Sequence, residues 1–223
     1  MAPRPRILCL HGWSANGAVH AQQLRKLTTL LSGTCDFIFP DGPHVLDPVA
    51  QRLDASADPA NKTWIDYVAA NSTEGPRAWW YAPDGLYGSE YWENFVGIED
   101  SMAYIGKVMR DQGPVHAIWG FSQGACFASL LREFFFSAFK AGFRKYAELY
   151  EPGIAVPTLH IMGTTDPVVK GEGQALVRVC GEGARLLVFA GAHGIPRKEE
   201  DLAKIVEFVR EYVRARERSR VRL

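Results

Sequence analysis

A chain of 223 residues can bury a substantial core while remaining one α/β domain, here 1–223. Its 25 basic and 25 acidic side chains cancel, which gives no net pull toward nucleic acid or anionic lipid. The apolar run Ile7–Leu10 is too short for a signal-peptide core and no other stretch approaches a membrane span, so the expectation is a cytoplasmic protein with no membrane partner. The basic end, Arg210 to Leu223, reads as a solvated helix terminus. Cys9, Cys35, Cys126 and Cys180 show no Cys-x-x-Cys spacing, so buried free thiols are expected and a metal site is not.

In chain order, Arg6–Leu10 reads as a buried strand, followed by the loop His11–Gly17. A helix over about Ala18–Leu31 places Leu24, Leu27, Leu30 and Leu31 on its apolar face. Cys35–Pro40 is the second strand and ends in the turn Asp41–His44. Segment 44–95 differs in character. It is rich in Pro, Asp and Ala, then in aromatics: Trp64, Tyr67, Trp79, Trp80, Tyr81, Tyr87, Tyr91, Trp92 and Phe95. So long a connection reads as a lid or functional loop, its aromatics shared between packing and a substrate pocket. Trp79, Trp80, Tyr81 and Phe121 are the candidates for the pocket lining. A helix over Phe95–Asp111 stops at Gly113-Pro114, and the strand Val115–Trp119 follows. Beyond it come a helix over Ala125–Leu131, strands at Glu133–Lys140, Val156–Gly163 and Ala184–Ala190, and a closing helix over Lys198–Arg216. Strands alternating with helices imply a mostly parallel sheet of about six strands, covered on both faces.

Strand Val115–Trp119 runs into Gly120-Phe121-Ser122-Gln123-Gly124, and a helix follows at once. A sharp strand-to-helix turn holds its apex hydroxyl clear of the sheet, and small residues are needed on either side. Ser122 is thus the candidate nucleophile and the Gln123 N–H a candidate oxyanion donor. The plainer alternative is a Gly-rich turn whose serine caps the helix. Asp166 and His193 each fall just past the carboxyl end of a predicted strand, where ligands meet such sheets. A serine hydroxyl needs a base to take its proton, and an imidazole needs a carboxylate to orient it. His193 and Asp166 supply these groups, in the chain order Ser, Asp, His of the α/β-hydrolase fold. The loop after the first strand is expected to give the second oxyanion donor, the N–H of Trp13 first and that of Ser14 second.

Six pieces carry a resemblance: Ile7-Leu-Cys-Leu-His-Gly-Trp13, Phe39-Pro-Asp-Gly-Pro-His44, Arg77-Ala-Trp-Trp80, Gly120-Phe-Ser-Gln-Gly-Ala125, His160-Ile-Met-Gly-Thr-Thr-Asp-Pro-Val-Val169 and Gly191-Ala-His-Gly-Ile-Pro196. In content and order, across nearly the whole chain, they resemble the FSH serine hydrolases, an α/β-hydrolase family common in fungi with relatives in animals. The resemblance implies a Ser122–Asp166–His193 triad acting on carboxylic esters or thioesters, with no cofactor. Some fungal members of the family are thioesterases of secondary metabolism that release polyketide acyl chains from a carrier protein.

The expected activity is hydrolysis of a small-molecule acyl ester or thioester through an acyl-enzyme on Ser122. One alternative keeps the triad but takes its acyl chain from an acyl carrier protein. A second, of another class, is a non-catalytic binding protein on a hydrolase fold, for which a strained serine would have no use.

Overall fold

The computed structural model describes residues 3–47, 59–81, 95–131, 157–168, 174, 177–178 and 180–221. Its contacts gather them into two compact units. The first comprises Arg6–Gln23 and Asp36–Leu149. Its centre is a parallel sheet in the order β2 (Asp36–Ile38), β1 (Arg6–Leu10), β5 (Ala117–Gly120). Ile7 lies opposite both Phe37 and Ala117, and Leu10 opposite Gly120. Leu8, Cys9 and Leu10 are fully buried, as expected of a parallel strand covered on both faces, where apolar residues run on without alternation.

The loop after β1 leads into α1 (Gly17–Gln23). Asn16 caps this helix, its Oδ1 accepting the Val19 N–H at 2.9 Å, and Asp41 Oδ1 accepts the Gly17 N–H at 2.7 Å. Ala15 and Val19 pack with Val68 and Trp64 of α3 (Pro59–Asn71). A short antiparallel pair, β3 (His44–Val45) and β4 (Arg77–Ala78), flanks that helix in sequence. Helix α4 (Ile98–Gln112) buries Ile98, Ser101, Ile105 and Val108 along one stripe at helical spacing. Helix α5 (Gln123–Leu131) follows β5.

The second unit comprises Met1–Pro5, Leu24–Cys35 and Tyr150–Leu223. Strands β6 (Thr158–Gly163) and β7 (Ala184–Phe189) pair in parallel along their full length. Helix α6 (Glu199–Val221) packs on β7 and on α2 (Arg25–Leu31), burying Leu202, Ile205, Val206 and Val213. Its first turn carries Glu199, Glu200 and Asp201, which suits the positive end of the helix dipole. Arg210 Nη2 donates to the Leu30 carbonyl at 3.2 Å.

Two expectations are corrected. The helix expected over Ala18–Leu31 is two helices, α1 and α2, which part at Leu24. Leu24 is 1% exposed, and the break falls where the chain passes from one compact unit to the other, so packing overrides a propensity that favours helix throughout. The segment 44–95 is also not irregular throughout, since its described part holds β3, α3 and β4. Trp64, Ile65 and Val68 make a short apolar stripe on α3, too brief to stand out among its polar and alanine neighbours. Tyr87, Tyr91, Trp92 and the strand expected at Glu133–Lys140 lie outside the described residues. The other five expected strands appear as β1, β2, β5, β6 and β7, all in parallel pairings.

Candidate active site

Strand β5 ends at Gly120, and the Phe121 N–H still donates to the Leu10 carbonyl at 3.1 Å. Ser122 then takes φ +52°, a left-handed conformation that costs an L-residue about 1–2 kcal/mol. Helix α5 starts at the next residue, and the Ser122 carbonyl accepts the N–H groups of Ala125 and Cys126 at 2.9 and 3.1 Å. The flanking glycines have separate reasons. A Cβ at Gly120 would strike the Gly124 carbonyl and the Ala125 Cα, and one at Gly124 would strike the carbonyls of Leu10 and His11. The Gln123 N–H is one of the donors a helix start leaves without an intrahelical acceptor.

The loop after β1 lies beside this turn. A Cβ built on Gly12 would stand 3.3 Å from Ser122 Cβ and 3.0 Å from the Phe121 ring. His11 is fully buried and its ring is bonded on both nitrogens. Nε2 accepts the Gly42 N–H at 2.7 Å, so Nδ1 carries the proton and donates it to the Gly12 carbonyl at 2.8 Å. Burial holds this ring neutral by lowering its pKa to about 3. Because the peptide is planar and trans, drawing the Gly12 carbonyl toward His11 turns the Trp13 N–H the opposite way. Ser14 also has positive φ, +55°. Its hydroxyl donates to the Trp13 carbonyl at 2.7 Å and accepts the Trp64 indole N–H at 2.9 Å.

Asp166 and His193 belong to the second unit, on the turns that follow β6 and β7. Asp166 Oδ2 is 2.9 Å from His193 Nδ1, and Asp166 Oδ1 accepts the Val168 N–H at 2.8 Å. The two turns are stitched together. The Thr165 N–H and hydroxyl each donate to the Gly191 carbonyl at 3.0 Å, and the Thr164 N–H donates to Phe189 at the same distance. A Cβ at Gly163 would collide with the carbonyls of Gly191 and Ala192, so the turns meet only across a glycine. With the carboxylate on Nδ1, the imidazole lone pair is on Nε2, the tautomer a general base needs.

Of the candidate pocket aromatics, Trp79 and Trp80 are 0% and 1% exposed and serve as core packing. Tyr81 is half-buried, with its ring 4.7 Å from that of His44. Phe121 is half-buried beside Gly12. Gln123 offers more than the backbone N–H its sequence position suggests, since its buried side chain is an anchor. Oε1 accepts the Trp79 N–H at 2.8 Å and Nε2 donates to the Trp80 carbonyl at 3.0 Å. No local pattern signals this bond, whose partners lie 44 and 43 residues away.

A family model described as serine hydrolase (FSH1) matches residues 1–134 and 133–205. The chain is 31% identical to Esterase FUS5 of Gibberella fujikuroi over 99% of its own length and 92% of that protein's. It is 26% identical to Esterase OVCA2 of Danio rerio, over 93% and 97% of the two lengths. Among solved structures, esterase PE8 aligns with a TM-score of 0.63 at 20% identity, over 95% of this chain and 94% of that one. SOBER1 of Arabidopsis thaliana aligns at 0.59 and 16% identity, over 94% and 99%. At such identities the likeness is one of fold, and it bears out the expected α/β-hydrolase architecture. No helix among the described residues is long and apolar enough to cross a membrane. With its family matched over most of its length, this chain belongs to the FSH1 serine hydrolases and is an enzyme of the α/β-hydrolase fold.

Proposed function

We propose that Ser122 is the nucleophile, His193 the general base and Asp166 its orienting carboxylate, with the N–H groups of Gln123 and Trp13 as oxyanion donors. On this reading both compact units serve one hydrolase domain. The observation that carries it is Ser122 at φ +52° on a strand-to-helix turn between two glycines that admit no Cβ. Neither a helix cap nor a binding surface requires that strain.

The chemistry is acyl transfer in two halves. As Ser122 Oγ attacks the acyl carbonyl, His193 Nε2 takes its proton, and negative charge collects on the carbonyl oxygen. N–H donors already aimed at that oxygen stabilise it without reorganisation. Collapse expels the alcohol or thiol, which leaves with the proton from His193, and the acyl group stays on Ser122. Water then attacks with the same base, and the acid departs as Ser122 regains its proton. Small carboxylic esters are the proposed substrate class, with thioesters open to the same steps.

Intact-mass spectrometry after exposure to a fluorophosphonate tests the assignment. One adduct is expected on wild type and none on Ser122→Ala. An adduct of equal yield on the variant would sink the nucleophile assignment, and no adduct on folded wild type would favour the binding-protein alternative. Turnover of a short acyl ester against a carrier-bound thioester then separates the free-ester reading from the carrier-directed one.

A further inference from the structure

We infer that Trp79 is a positioning residue that fixes the two oxyanion donors, the N–H groups of Gln123 and Trp13, relative to each other. The inference deepens the proposed function and rests on it. Trp79 reaches both donor segments. Its backbone N–H donates to Gln123 Oε1 at 2.8 Å, on the residue that opens α5. Its indole N–H donates to the His11 carbonyl at 2.9 Å, at the start of the loop that carries Trp13. The Trp79 carbonyl is held in turn by the Ser101 hydroxyl at 2.6 Å, and the neighbouring Trp80 carbonyl by Gln123 Nε2 at 3.0 Å.

The ring is fixed as firmly as the backbone. It contacts two others, with centroids 4.9 Å from the His11 imidazole and 5.0 Å from Phe127, the latter nearly parallel at 21°. Phe127 sits one turn beyond Gln123 on the same helix, so the indole touches the elbow helix and the β1 loop at once. Trp79, His11 and Phe127 are all fully buried. A hydrogen bond in such surroundings is strong, and orphaning one of its partners is costly.

From the indole, the path to the second donor has two steps. Trp79 holds the His11 carbonyl, while the His11 ring holds the Gly12 carbonyl through Nδ1–H. That second bond, together with the Ala15 N–H at 3.2 Å on the same carbonyl, sets the plane of the peptide that presents the Trp13 N–H. The His11 carbonyl oxygen is also one of the two carbonyl oxygens that exclude a Cβ from Gly124, so its place fixes how closely the loop can approach the elbow. Any residue but proline at position 79 keeps the backbone bond to Gln123. A tryptophan alone adds the indole bond to His11.

Oxyanion donors act on the transition state and only weakly on the bound ester, and their effect depends on placement within about 0.5 Å. Trp79→Phe, which keeps the stacked ring and removes the indole N–H, is therefore expected to lower kcat about 10–100-fold and to leave KM within about twofold, short of the roughly 100–1,000-fold that follows loss of a whole donor. The affinity of an alkyl boronic acid, whose Ser122 adduct is tetrahedral, is expected to fall by the same factor as kcat. Rates are expressed per fluorophosphonate-titrated site, so a fraction that fails to fold does not count. If Trp79→Phe folds poorly, replacement of Trp79 by β-(3-benzothienyl)alanine keeps the shape and swaps the N–H for sulfur. The inference is supported if kcat per titrated site and boronate affinity fall together in either variant. It is overturned if both are unchanged, if KM rises while kcat holds, or if kcat falls with boronate affinity intact. Wild type that does not label, or Ser122→Ala that still turns over ester, marks failure of the triad assignment instead.

Discussion

His193 Nδ1 and Asp166 Oδ2 lie 2.9 Å apart, while the other carboxylate oxygen is tied to the Val168 N–H, so the carboxylate cannot turn away from the ring. Asp166→Asn keeps the shape and can offer Nδ1 an N–H in place of an oxygen. On the proposed assignment, that moves the imidazole proton to Nε2 and removes the base. The expected loss is about 10⁴-fold in kcat with an unchanged circular dichroism spectrum, measured on a short acyl ester.

Stability is expected to fall on mild acidification because of two buried histidines. Burial lowers the His11 pKa to about 3 and the His20 pKa to about 4, both below the ordinary 6.5. Between 6.5 and those values the unfolded chain binds protons that the folded chain refuses. The contribution is therefore complete above pH 6.5 and shrinks as pH drops, by about 1.4 kcal/mol per pH unit for each ring. Urea unfolding at pH 7, 6 and 5 measures the slope. His20→Leu is expected to remove about one proton's share of it. An unchanged slope in that variant would exclude His20 as a source.

Two glycine substitutions should separate steric from conformational cost. Gly124→Ala places a methyl against the backbone carbonyls of Leu10 and His11, which cannot rotate aside. The expected destabilisation is about 3 kcal/mol, at the top of the usual range for overpacking. At Gly33 a Cβ meets nothing within 4 Å. Gly33→Ala should be neutral or stabilising by up to about 1 kcal/mol, through the unfolded chain. Thermal melts of the pair decide it.

Asn16 has two duties. Its Oδ1 caps α1 on the Val19 N–H, and its Nδ2 donates to the Gly75 carbonyl at 2.8 Å from a fully buried site. Asn16→Ala is expected to cost about 2–4 kcal/mol, the cap plus one orphaned carbonyl. Asn16→Asp restores the cap and still leaves the carbonyl without a donor. Denaturant midpoints should therefore rank asparagine first, aspartate next and alanine last.

What could be read from the sequence was local. The run Ile7–Leu10, the Gly-x-Ser-x-Gly turn at Ser122 and the strand-end positions of Asp166 and His193 each declare themselves within a few residues. The break at Leu24 and the Gln123 anchor do not. Leu24 sits in a segment with good helix formers on both sides, and the Gln123 side chain finds its partners 44 and 43 residues back along the chain. Such features are decided by tertiary packing. The strand pair at His44–Val45 and Arg77–Ala78 was hidden for another reason, because two residues are too few to set up a period.

The place of β1 between β2 and β5 has a kinetic consequence. The N–H of Arg6 meets the His116 ring, and its carbonyl the His116 N–H, at a sequence separation of 110. Loop closure over that separation must precede completion of the central sheet, so contacts of high sequence distance set the folding rate. During synthesis one edge of an apolar strand waits without its neighbour until Gly120 has emerged. The turn at Ser122 is braced by the Phe121 N–H bond to the Leu10 carbonyl, and that brace exists only once β5 has docked beside β1.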